Sequence, residues 1–284
     1  MDISRRSALS AAALIPFAGT ARAATTTGFH TKYGFAVWAH PGETYKQAFT
    51  RQVTQFGPPR MVRYFYGTKP LSWPLENGAI GKTPAIVSFK RNPQQILAGL
   101  HDSEIRAWLA KMPTGYRTWV AYEHEMDAKV AQGLYAAADV RAAFIRVAQL
   151  IRDNGNPWVE STLILTGFDY QNRLATLWPG EQWVGQLGVD TYQWSTESVA
   201  QMLDVNFAVA QQYGKPLGLS ELGDYRGTDA VKAALLADLV EATSGRYRWV
   251  TYFNADRSAV AGDHNWEIGH LPASAGVWRD AQAS

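Results

Sequence analysis

Three carboxylates and a histidine crowd one short stretch, Ala121-Tyr122-Glu123-His124-Glu125-Met126-Asp127, where an apolar run stops. A second apolar run ends Gly218-Leu219-Ser220-Glu221-Leu222-Gly223-Asp224, with Glu221 set between apolar neighbours. Two carboxyl groups that converge on one acetal can cleave it. One protonates the leaving oxygen, and the other attacks the anomeric carbon or activates water. The acid partner needs a raised pKa, which burial or a nearby carboxylate supplies. Other chemistries find less support. The chain has no cysteine, which excludes disulfides, thiolate metal sites and a cysteine nucleophile. His124-Glu125 begins a zinc-type His-Glu-x-x-His pattern, but position 128 is Ala. His264 and His270 flank Asp263 and Glu267 without a recognised ligand spacing, and no Gly-x-Ser-x-Gly elbow occurs. Neither a metal nor a cofactor is expected.

The elements that must carry these acids form a regular alternation. Eight β-rich runs are legible: Tyr33–Trp38, Met61–Tyr66, Ala85–Lys90, Arg117–Glu123, Ser161–Thr166, Gln186–Tyr192, Pro216–Leu222 and Trp249–Asn254. Their starts lie about 24 to 44 residues apart, the size of a βα unit. Helical segments are expected at Glu43–Gln55, Pro93–Lys111, Ala137–Asp153, Ser198–Tyr213 and Thr228–Thr243. In the last of these, Val231, Leu235, Leu239 and Ala242 share a face. Gly67–Pro84 reads as a long loop, and the residues after Asn254 read as irregular. Eight units without a phosphate-cradling glycine turn favour a single-domain (β/α)8 TIM barrel over an open parallel sheet. Barrels build their sites at the carboxyl ends of the strands, where both acidic stretches fall.

This constellation resembles glycoside hydrolase clan A, and within it family 26. The family's fourth strand ends in a His-Glu pair followed by Met, matched here by His124-Glu125-Met126. The resemblance implies a retaining β-glycosidase. It makes Glu125 the acid/base, His124 its neighbour and Glu221 the nucleophile closing the seventh strand. Tyr192, in Val189-Asp190-Thr191-Tyr192, would hydrogen-bond the nucleophile, and Arg63 on the second strand would support it. The chain leaves the family pattern after Met126, with Asp127-Ala128-Lys129 in place of Asn-Gly and an aromatic cluster.

Trp38, His40, Tyr66, Lys90, Asp190, Trp194, Tyr252 and Asn254 stand at or near strand ends and are expected to line a sugar groove, with Phe253 an alternative platform to Tyr252. Tyr64 is a further candidate. Trp178 and Trp183 could wall the groove, whereas Trp108, Trp119 and Trp158 are expected in the core. The implied substrate is a polysaccharide or oligosaccharide of β-mannan or β-glucan type, handled by a monomer. A non-catalytic sugar-binding barrel and a transglycosidase are the alternative readings.

Residues 1–23 read as a twin-arginine export signal, with Ser4-Arg5-Arg6-Ser7, a short apolar stretch and Ala21-Arg22-Ala23. The mature protein is therefore expected in the periplasm or outside the cell. Without that segment the 27 basic and 25 acidic residues become 24 of each. A neutral chain with no Lys/Arg stripe speaks against nucleic-acid or membrane partners.

Overall fold

The computed structural model describes residues 30–68, 80–192, 199–260 and 264–284. The expected export signal, Trp194 and Asp263 lie outside these residues. Eight strands run Lys32–Ala36 (β1), Met61–Gly67 (β2), Ala85–Phe89 (β3), Thr118–Tyr122 (β4), Val159–Thr166 (β5), Gln186–Tyr192 (β6), Leu217–Gly223 (β7) and Trp249–Tyr252 (β8). Each pairs in parallel with the next, and β8 pairs with β1, so the sheet closes into the expected barrel.

The helices among the described residues are Tyr45–Phe56 (α1), Pro93–Leu97 (α2), Asp102–Leu109 (α3), Met126–Ala131 (α4), Ala137–Asn154 (α5), Tyr170–Leu177 (α6), Val199–Gln212 (α7), Asp229–Thr243 (α8) and Pro272–Ala283 (α9). A capping box between Thr44 and Gln47 starts α1, satisfying two backbone donors at once. The stripe of α5, from Val140 to Ile151, is buried as its 3.6-residue period requires.

Three helical expectations need correction. Pro93–Lys111 is two helices, because Gly99 takes a left-handed φ of 76° between them. The buried face of α8 is Lys232, Leu236, Leu239 and Thr243, while Val231 is exposed. Apolar residues surround that helix on several sides, so periodicity alone could not choose the face; Thr243 is drawn in by its hydrogen bond with the Tyr33 hydroxyl. The tail is also more regular than Pro272 and Gly276 suggested. Pro272 occupies the first turn of α9, where its missing N–H costs nothing, and buried Trp278 donates to the Gly34 carbonyl.

Side-chain parity divides each strand between the barrel interior and the helical layer. The interior floor is apolar, made by Met61, Ile86, Trp119, Ala121, Ile164 and Trp249. Gly218 makes room for the Trp249 indole, since a Cβ there would lie 2.0 Å from it. Above this floor the interior becomes polar, with Arg63, Asp190 and Glu221 all buried.

Glu221 reaches that interior through a break in parity. Val189 pairs with Leu219, but Asp190 pairs with Glu221, so β7 carries an extra residue, Ser220. On the other side Leu219 faces Val250 and Leu222 faces Tyr252. This bulge lets Ser220 and Glu221 both point inward. The freed Ser220 carbonyl accepts from Thr251 Oγ1 at 2.5 Å, and Ser220 Oγ accepts from the Trp249 indole at 3.2 Å.

Candidate active site

Arg63 organises the upper interior. Its Nη1 donates to Asp190 Oδ1 at 2.7 Å, and its Nη2 donates to Glu221 Oε1 at 2.8 Å and Asp190 Oδ2 at 3.2 Å. Burial opposes the guanidinium charge, but Asp190 and Glu221 more than offset this and push its pKa up. The Tyr192 hydroxyl donates to the other oxygen of Glu221, Oε2. Burial, then the Glu221 charge, holds the Tyr192 phenol well above its ordinary pKa, so it remains a donor. Both oxygens of Glu221 are thus held by donors from two other strands.

Glu125 faces the same space. It offers a carboxylate oxygen, as do Asp190 and Glu221, and the three oxygens lie within 4.8 Å of one another. Three acids beside one guanidinium leave excess negative charge if all ionise. Burial first, and the Glu221 charge second, pushes Glu125 up to about 7. The backbone around it is unusual. Glu123 and Glu125 both adopt left-handed φ, 48° and 57°. That conformation costs about 1–2 kcal/mol for a residue with a Cβ. The Glu125 N–H bonds to Ile164 O at 3.0 Å, anchoring this turn to β5 before α4 begins.

The strained turn separates the three acids of the stretch. Glu125 lines a cleft of about 1200 Å³ with Asp190, Tyr192, Phe168 and Gln201. Glu123 faces a separate side pocket, and burial pushes it up to about 7. Asp127 is buried under α6, accepting from Thr166 N at 3.2 Å, Thr166 Oγ1 at 2.5 Å and Arg173 at 2.5 Å. His124 is buried against Phe65, ring centroids 5.4 Å apart, and Nδ1 has no hydrogen-bond partner among the described residues. Burial, then the Arg63 and Lys90 charges, holds its pKa well below the ordinary value, so the ring is neutral.

The expected groove residues divide. Trp38 stands at the mouth, edge-on to Phe253 at 5.5 Å, with Arg257 over its ring. Phe253 is also edge-on to Tyr192 at 6.0 Å, so Phe253 and not Tyr252 faces the mouth. Tyr252 points outward, donating to Trp266 O and packing on Trp278. Tyr66 likewise points outward, against Trp108, and Tyr64 is core. Parity is the cause: β2 turns Met61, Arg63 and Phe65 inward, so Tyr64 and Tyr66 must face the helices. Phe65 was legible by that rule once Arg63 was placed inside. Its ring meets His124, Phe253 and the Arg63 guanidinium.

Asp190 is enclosed, with both oxygens on Arg63, and so braces the arginine where direct sugar contact was expected. Asn254 is wholly buried; its Oδ1 accepts from Ile268 N and pins the loop after β8. His40 sits on the rim with Nε2 2.6 Å from Glu267 Oε1, and Arg51 lies 3.5 Å from the same oxygen. Lys90 is half-buried in the side pocket. Trp266, which no periodic signal marked, packs 4.7 Å from Tyr192. Neither the 178–183 region nor the tail histidines build the site. Trp178 packs on Tyr213, and Trp183 lies under Arg152 beside the start of β6. His264 stacks on Tyr225. Trp108 and Trp119 are core as expected, but Trp158 is partly exposed beside Arg117.

No known family's sequence profile matches this chain, and no curated protein sequence does. Solved structures do. A family 26 β-mannanase from Bacteroides ovatus superposes with a TM-score of 0.65 at 13% identity, over 90% of this chain and 89% of that one. The catalytic domain of a family 26 endo-β-1,4-mannanase from Bacillus sp. JAMB-750 gives 0.62 at 14%, covering 90% and 88%. A family 26 protein from Muricauda sp. gives 0.64 at 9%, covering 91% and 87%. The chain has the (β/α)8 fold of these family 26 structures over nearly its whole described length. At these identities the likeness speaks for the fold, and the chemistry must be argued from the side chains.

Proposed function

We propose that this chain is a retaining β-glycoside hydrolase of family 26 type that cleaves a polysaccharide by double displacement. The observation that carries the reading is the approach of the Glu125 and Glu221 carboxylate oxygens within 4.8 Å. Retaining glycosidases hold their carboxyl groups about 5 to 5.5 Å apart, whereas inverting enzymes leave about 6.5–9.5 Å for a water. In the first step Glu125 gives its proton to the glycosidic oxygen while a Glu221 oxygen attacks the anomeric carbon. The bond to the leaving sugar breaks, and a glycosyl ester forms on Glu221. Water then attacks the same carbon and passes its proton to Glu125, releasing Glu221. Arg63 and Tyr192 hold and orient Glu221, and Asp190 braces Arg63. Neutral His124 supports the Glu125 turn. Trp38 and Phe65, both partly exposed, supply apolar faces for pyranose rings, backed by the buried Phe253 and Trp266.

The folded likeness to β-mannanases favours a β-mannan or β-glucan backbone. We also read residues 1–23 as an export signal, so the protein released outside the cytoplasm should begin at Ala24. The mechanism is tested by incubating the protein with an activated 2-deoxy-2-fluoroglycoside and mapping the product by mass spectrometry. The expected adduct is an ester on Glu221. A lasting adduct on any other carboxylate, or hydrolysis with inversion, would overturn the assignment.

A further inference from the structure

The side pocket beside the cleft is occupied by neither acid of the proposed pair, yet its chemistry is specific. Its volume is about 600 Å³, enough for a sugar residue, and it is lined by Lys90, Arg91, His101, Glu104, Glu123 and Lys129. Glu104 takes two of the basic groups, Arg91 at 2.8 Å and His101 at 3.3 Å. Among the described residues no ion pair engages Lys90 or Lys129. Two lysines therefore face the pocket unneutralised. Glu123 could cancel one of them, but its carboxyl is buried and, among the described residues, accepts a backbone N–H from Arg91; burial pushes it up to about 7 against the Lys90 and Lys129 charges. When protonated, that carboxyl is a donor; even when it is ionised, Lys90, Arg91 and Lys129 outnumber Glu104 and Glu123 in the lining.

The pocket also adjoins the site of bond cleavage. The left-handed turn at Glu123 and Glu125 sends one carboxyl into each opening, and the Lys90 charge is felt at Glu123, His124 and Glu125. Backbone strain of this kind persists where the surrounding structure fixes a functional geometry. We propose that the side pocket binds a carboxylate carried by the glycan, through Lys90 and Lys129 with Glu123 as a hydrogen-bond donor, so that the substrate class is an acidic β-glycan. This deepens the glycosidase reading and rests on it for the word substrate. The pocket itself does not depend on catalysis.

Binding separates the two. In the Glu125→Gln chain, oligosaccharides of β-1,4-mannuronan and β-1,4-glucuronan are compared with β-1,4-mannan and cellulose oligosaccharides of equal length by calorimetry. Each pair differs only at the sugar carboxylate. The acidic member of at least one pair should bind about tenfold tighter, by charge-assisted contacts that weaken as salt rises. Adding Lys129→Ala should remove that preference, and Lys129→Arg should restore it. Thermal unfolding of each variant shows that the fold is intact. Equal or tighter binding of the neutral member in both pairs, or a preference untouched by Lys129→Ala, overturns the proposal. Acidic preference in a wild-type chain that cleaves no glycan would sink the hydrolase reading and leave the pocket standing. Cleavage of neutral glycans with no acidic preference would do the reverse.

Discussion

Glu125 and Glu221 bring carboxylate oxygens within 4.8 Å but occupy opposite surroundings. Glu221 lies on a strand, with each oxygen held by a donor, Arg63 on one and Tyr192 on the other. Glu125 lies just past a strand in left-handed backbone, and its carboxyl is given no hydrogen bond by the described residues. The first environment gives the carboxyl two donors; the second gives none, and its burial beside the Glu221 charge favours the carboxylic acid. On the proposed mechanism, two identical side chains are divided into nucleophile and acid by donors, burial and mutual repulsion. The lesson is that proximity alone does not assign roles, whereas the count of donors around each carboxyl does.

The comparison can be broken most directly by removing each acid. Glu221→Ala should lower turnover by about 10⁴-fold or more with the barrel intact, because the covalent step is lost. Glu125→Ala should cost about 10²–10⁴-fold on ordinary glycans and less on substrates with a good leaving group, which need no protonation. Azide should rescue the two differently. It should attack from the vacated face in Glu221→Ala and give an inverted glycosyl azide. In Glu125→Ala it should intercept the glycosyl ester and give a retained one. NMR of the products tells these apart, and identical anomers from both variants would erase the distinction drawn here.

Removing the holder tests the other half. Arg63→Ala leaves Asp190 and Glu221 buried without their shared cation, and a broken buried pair costs about 3–5 kcal/mol. Denaturant unfolding should register that loss along with the loss of activity. A stable Arg63→Ala chain would mean that Arg63 is not what holds the two buried acids in place.

The smallest effect is on pH. The proposed mechanism needs Glu125 protonated, so kcat/KM should fall as pH rises through about 7, and Glu125→Gln should lack that limb. Stability follows the same groups. Glu123 and Glu125 release protons near 4.5 when unfolded and near 7 when folded. Between those values the folded chain binds more protons, so rising pH destabilises it, and the loss is complete above about 7. Glu123→Gln with Glu125→Gln should flatten this slope in unfolding curves measured across the window.

Much of the fold was legible because it is written in period and order. Eight apolar runs spaced by helical segments permit few architectures, and the runs became the eight strands. The helices that escaped notice, α4, α6 and α9, are short or carry Pro272 and Gly276, which composition reads as loop. The groove was less legible for a geometric reason. Tyr66 and Tyr252 stand at strand ends as Phe65 and Phe253 do, but alternate residues face opposite layers, and only a placed register says which.

The same distinction holds for the residues at the centre. Sequence alone determined that Glu125 follows the fourth strand and that Glu221 falls near the end of the seventh, since apolar runs and their stops are local properties. It could not determine that Glu221 faces inward. Strict alternation after Ser220 would have turned it to the helices, and the bulge that turns it back exists only because β7 must pair with β6 and β8 at once. Nor could it separate Glu125 from Glu123 and Asp127 by environment. Burial, the arginine across the barrel and the left-handed turn between two openings are set by contacts distant in the chain, and those contacts form only when the barrel closes.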